Sequence, residues 1–204
     1  MALEREWLTD QARRERDAMG RSVQYTETEY WEKDSVLPGW LNRDLIAHLA
    51  GDDGAAAALV GGDLRVPYLL QSRIVEWWLH GEDLRAGADL APRGEHPPIF
   101  CVNDLAVRMI PYGLSLAGLS FPGKSIRVDL EGAGGGRWHY GLAPHETPHG
   151  SRPDTVVEGR GYPFAMVAGG RIAAGDYLSS GGLQLGGDLQ LGRIVLDHLR
   201  VAAA

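Results

Sequence analysis

The chain has 204 residues, 44% of them apolar, and a formal net charge of −7 from 20 Lys and Arg against 27 Asp and Glu. That size suits one large domain or two small ones with a real core, and the acidic balance argues against a nucleic-acid partner, which needs a basic footprint. The one cysteine, Cys101, excludes an internal disulfide and a cysteine-based zinc knuckle.

Glu4–Met19 is dense in Glu, Arg and Ala, with Trp7, Leu8, Ala12 and Met19 as a narrow apolar stripe. This spacing predicts a helix that ends at Gly20. The same charged stretch lacks the apolar region of a signal peptide. No run of about 18 apolar residues is present, so no membrane-spanning helix is expected. The expectation is a cytoplasmic protein, monomer or homodimer, acting on a small molecule. Arg21–Val36 reads as a polar, loop-like stretch, and Leu37-Pro-Gly-Trp40 as a turn. Asn42 is placed to cap a helix through about Ala50. Gly51–Gly62, an alanine run between glycines and aspartates, is a short helix or a collapsed loop. A longer helix follows from about Val66 to Arg85. Pro92, Pro97 and Pro98 predict an irregular Ala88–Ile99. Val102–Ala117 has helical spacing that Pro111 should kink or restart.

The composition changes after Gly118. Lys124–Leu130 and Arg137–Leu142 are β-like, with a glycine-rich hairpin loop between them. Ala143–Asp154 reads as loop, Thr155–Glu158 as a strand, and Tyr162–Ala168 as a helix closed by Gly169 and Gly170. Gly182–Gly187 is another strand, and Asp188 caps a final helix through Val201. The class is therefore α+β: a helical unit over residues 1–118 and a smaller α+β unit over 119–204.

Three side chains carry the chemistry. Glu76 and His80 are four apart on the predicted helix and project from one face. His48 lies on the preceding helix, within Leu45-Ile-Ala-His48-Leu-Ala. Alone, a Glu and a His at this spacing are usually a surface pair, and a lone histidine on an apolar helix is usually core. Together, two imidazoles and a carboxylate from neighbouring helices form a three-ligand site for a divalent metal, with a fourth position for water or substrate. Zinc is the first choice, and Ni(II), Fe(II) and Mn(II) suit the same donors. Asp44, four residues before His48, either orients that imidazole or complements the helix dipole. Trp77 and Trp78 read as core, and Cys101 as a packed residue. His139, His145 and His149 are too irregularly spaced for a second metal site and read as surface loop.

The motif Leu37-Pro-Gly-Trp-Leu-Asn-Arg-Asp-Leu-Ile-Ala-His48-Leu-Ala-Gly resembles the signature of actinobacterial maleylpyruvate-isomerase-type, mycothiol-dependent enzymes. Glu76-Trp-Trp-Leu-His80-Gly-Glu-Asp-Leu-Arg85 resembles that family's second motif. The resemblance implies a DinB-like helical bundle with His48, Glu76 and His80 as metal ligands. It also implies a sterol-carrier-like C-terminal domain, which Val157-Glu-Gly159, Phe164–Arg171 and Leu185-Gly-Gly-Asp188 fit. A catalytic arginine of that domain, matched here by Arg171, would hold substrate or thiol. Mycothiol is the implied cosubstrate, and cis–trans isomerisation or thiol transfer is the implied reaction. Only 27 residues separate His48 from Glu76, fewer than is usual in that family. Two rival expectations are a thiol-independent, metal-assisted isomerase or cyclase of a specialised metabolite, and a non-catalytic small-molecule binding protein.

Overall fold

A helix buried on nearly every side forms the centre of its domain. Helix α4 (Val66–Gly87) is of this kind: between Gln71 and Leu84 only Ser72, Arg73 and Glu76 escape full burial. The computed structural model describes residues 3–24, 27–49, 66–144, 146–148, 150 and 152–201. They divide into two compact units, Met1–Arg93 and Gly94–Ala204.

In the first unit, α1 (Arg5–Gln24) packs along α4. It runs through Gly20 instead of ending there. An exposed glycine costs a helix only about 1 kcal/mol relative to alanine, and packing outweighs that. The expected loop after it contains one turn of helix, α2 (Thr28–Trp31). Helix α3 spans 42–49. Its start is capped differently from expectation: the Leu41 N–H donates to Asp44 Oδ2 at 2.8 Å, and Asn42, already helical, donates from Nδ2 to the Tyr30 carbonyl at 3.0 Å. Met19, Leu45, Leu49, Trp77 and Leu84 form a core cluster, with Tyr30, Trp31, Leu37 and Ile46 against it. Arg93 closes the unit by pairing with buried Glu15 at 3.0 Å while its N–H donates to Glu82 at 2.9 Å. Gly51–Gly62 lies outside the described residues.

The second unit is built on a four-stranded sheet in the order β2-β1-β3-β4, comprising β1 (Ser125–Glu131), β2 (Gly136–Gly141), β3 (Thr155–Arg160) and β4 (Leu183–Gly187). Strands β1 and β3 run parallel and the other pairs antiparallel. Ile126, Val128, Leu130, Trp138, Val157 and Leu183 are buried, and α5 (His96–Leu116), α6 (Gly161–Ala168) and α8 (Leu189–Asp197) pack on the sheet or on one another. Helix α8 is capped as expected, with Asp188 accepting from the Leu191 N–H at 3.0 Å, but it ends at Asp197 instead of Val201. A short helix, α7 (Ala174–Ser180), was not visible in the sequence pattern.

Helix α5 departs most from expectation. It begins at His96, with Pro97 and Pro98 in its first turn, where the missing N–H groups have no intrahelical partner to lose. It also continues through Pro111. It belongs to the second unit, so the division falls at Arg93 and not near Gly118. Buried Asn103 explains the attachment, donating from Nδ2 to the carbonyls of Gly134 at 2.9 Å and Gly161 at 3.1 Å. Asp104 accepts from the Trp138 indole N–H at 3.0 Å and pairs with Arg108. By length and composition α5 is apolar enough to cross a membrane, yet most of it is buried within the unit, as a core helix is.

Candidate metal centre

The three side chains predicted to meet do so. Helix α3 supplies His48 and α4 supplies Glu76 and His80. Glu76 Oε2 lies 3.8 Å from His48 Nε2 and 3.4 Å from His80 Nε2. One ligand atom from each of the three falls within 4.8 Å of the others. The two imidazole rings stand edge to face, with centroids 5.3 Å apart and planes at 85°. Four donors at metal–ligand distances of about 2.0–2.2 Å in a tetrahedron lie roughly 3.4 Å from one another, close to the spacing of this set.

The partner of the second ring nitrogen strengthens that fit. His80 Nδ1 lies 2.9 Å from Oδ2 of Asp83, which is 1% exposed. A carboxylate only accepts, so Nδ1 carries the proton and a neutral His80 turns the Nε2 lone pair towards Glu76. A lone pair facing a carboxylate oxygen is stable only with a cation between them, either a proton or a metal. Metal-binding histidines are commonly fixed by such a carboxylate. Burial raises the Glu76 carboxyl pKa. With a proton in that place, the hydrogen bond from His80 and the positive charges of His80, His48 and Arg73 outweigh that and hold it below the ordinary glutamate value.

Asp83 was missed in the sequence, although its place three residues after His80 puts it on the same helical face. Asp44, considered either to orient His48 or to complement the helix dipole, engages the start of α3 through the Leu41 N–H. Trp40, read only as part of a turn, stands against His48 with ring centroids 5.6 Å apart. Trp77 and Trp78 are buried core, and Cys101 is buried.

Arg171 lies in the second unit, just after α6, and its guanidinium donates to the Gly169 carbonyl. The open face of the sheet carries a groove of about 680 Å³ lined by Asp129, Glu131, Arg137, Glu158, Arg160 and Gln184 among others. His139 lies on β2, with Nε2 3.2 Å from Ser125 Oγ. His145 and His149 lie outside the described residues.

Fold and site define a class: an α+β protein whose helical unit brings two imidazoles and a carboxylate together, a donor set that could hold one divalent ion. Residues 12–67 match the family model described as the mycothiol maleylpyruvate isomerase N-terminal domain, the family that the two motifs resemble. The match includes Trp40 and His48 and stops before Glu76 and His80. Two solved structures are similar at 16% identity. One is a mycothiol-dependent maleylpyruvate isomerase, with a TM-score of 0.48, covering 90% of this chain and 93% of that one. The other is apo sterol carrier protein 2 from Yarrowia lipolytica, with a TM-score of 0.34, covering 54% of this chain and 97% of that one. Curated protein sequences give no match.

Proposed function

We propose that the chain is a metal-dependent enzyme that uses a low-molecular-weight thiol, mycothiol, to isomerise or conjugate a small unsaturated carbonyl compound. The observation that carries this reading is the convergence of His48, Glu76 and His80 on one point, with Asp83 behind His80. The family match over residues 12–67 supports the thiol.

His48, Glu76 and His80 would hold the ion, with zinc the natural choice for this donor set. When bound, a divalent ion supplies Lewis acidity that favours the thiolate form of a thiol or polarises a carbonyl. Glu76 contributes the negative charge of the set. Asp83 keeps the His80 ring in the tautomer that offers Nε2. The implied chemistry is addition of the thiolate to an activated double bond, rotation about the resulting single bond, and elimination that returns the thiol and the trans isomer. If the adduct is not eliminated, the outcome is conjugation. Arg171 takes the role that the resemblance implies, holding a carboxylate or the thiol.

The test is turnover of maleylpyruvate by the purified protein with and without mycothiol. Thiol-dependent isomerisation that is lost in His80→Ala supports the proposal. Full turnover in that variant contradicts it, and turnover that ignores the thiol shifts the assignment to a thiol-free isomerase.

A further inference from the structure

Beside the candidate centre, Trp40 has an exposure that packing does not explain. Trp77 and Trp78, which fill the core of the same unit, are 9% and 0% exposed, whereas Trp40 is 37% exposed. It is also firmly held. Pro38 and Gly39 occupy the middle of a turn in which Gly39 takes φ 82°, and the Trp40 N–H donates to the Leu37 carbonyl at 3.2 Å. The Trp40 carbonyl accepts from the Ser35 N–H at 2.8 Å, Ser35 Oγ accepts from the Leu37 N–H at 3.0 Å, and Asn42 donates to Lys33 at 3.0 Å. The backbone on both sides of the indole is thus pinned, and the side chain has two torsions left.

Exposure across the centre has a direction. The side chains of His80, Glu76 and His48 are 8%, 22% and 33% exposed. The site therefore opens on the His48 side, and there the Trp40 ring meets the His48 ring at 86°. A flat molecule bound beside His48 would lie against this ring. A rigid, half-exposed indole offers a large π surface at little entropic cost, and flat unsaturated groups pack on such a ring in offset or edge-to-face geometry.

We propose that Trp40 is a substrate-contacting wall of this site, receiving the planar conjugated part of a molecule whose oxygen or sulfur reaches His48, Glu76 and His80. The inference rests on the metal-centre reading and adds the substrate class: a flat unsaturated acyl or aryl compound in preference to a saturated one of the same head group.

Two probes isolate the contribution. Acetohydroxamate and benzohydroxamate carry the same chelating head, and only the second carries a flat ring. Their affinities are measured by calorimetry on the zinc-loaded full chain and on Trp40→Ala and Trp40→Phe, with bound zinc quantified in each. The wild type should favour benzohydroxamate by about tenfold. Trp40→Phe should keep most of that preference. Trp40→Ala should retain its zinc and its acetohydroxamate affinity while the preference falls to about twofold. An unchanged preference in Trp40→Ala overturns the inference. So does loss of zinc or equal loss of both probes, which would make Trp40 a buttress for His48. A wild type that binds zinc and favours neither probe sinks this inference alone, whereas a wild type that binds no zinc sinks the metal-centre reading with it.

Discussion

His80 directs Nε2 towards Glu76 because Asp83 holds its Nδ1–H. If that hydrogen bond fixes the ligand, Asp83→Asn should weaken zinc binding by about 10- to 100-fold. Competition titration against a chromophoric chelator would measure it, and an unchanged affinity would show that Asp83 serves packing only. Glu76 gives a prediction with a definite sign. Its pKa is depressed in the folded protein, so its contribution to stability is complete above the ordinary carboxylate range and is lost as pH falls through the lowered value. In the metal-free protein the stability advantage of wild type over Glu76→Gln should therefore shrink on acidification. Denaturant unfolding across that range tests this, and a pH-independent difference would contradict it. Glu76 and His80 were legible as a pair because spacing on one helix fixes direction, and His48, on another helix, was reached through the motif around it. The choice of supporting carboxylate was not legible: Asp44 and Asp83 are both within one turn of a histidine, and only the start of α3 shows that Asp44 is engaged by the Leu41 N–H.

At the scale of elements, the turn before α3 and the β1–β2 loop show where backbone geometry leaves no choice. Gly39 sits at φ 82° with nothing within 4 Å of an added Cβ, so Gly39→Ala tests conformation alone. It should cost about 1–3 kcal/mol, read as a lowered denaturation midpoint. Gly134 combines φ 74° with a Cβ position 2.1 Å from Ile99 Cγ2, so Gly134→Ala should be the more damaging of the two. Wild-type stability in both variants would refute this reading of the two turns. The β1–β2 hairpin was readable from two β-rich runs around a glycine loop. Helix α5 was misplaced for two physical reasons. Proline reads as a breaker even where, in a first turn, it loses no hydrogen bond. Attachment by Asn103 to Gly134 and Gly161 depends on partners far along the chain, which local pattern does not reveal.

At the scale of the molecule, an ion that only the folded state can hold would stabilise that state. A ligand at a thousandfold excess over its Kd adds about 4 kcal/mol to stability, so chelation should lower the melting temperature by several degrees and zinc should restore it. The α+β class was legible because helical and alternating patterns occupy different parts of the chain. The unit boundary was not, since α5 has the apolar pattern of a bundle helix and only its contacts assign it to the sheet. The most direct measurement of the central claim is elemental analysis of the purified wild-type protein alongside His48→Ala, Glu76→Gln and His80→Ala. One tightly held divalent ion per wild-type chain is expected, and its loss, or a fall in occupancy of at least tenfold, in each variant. No stoichiometric metal in the wild type, or full occupancy in variants that remain folded, would contradict it.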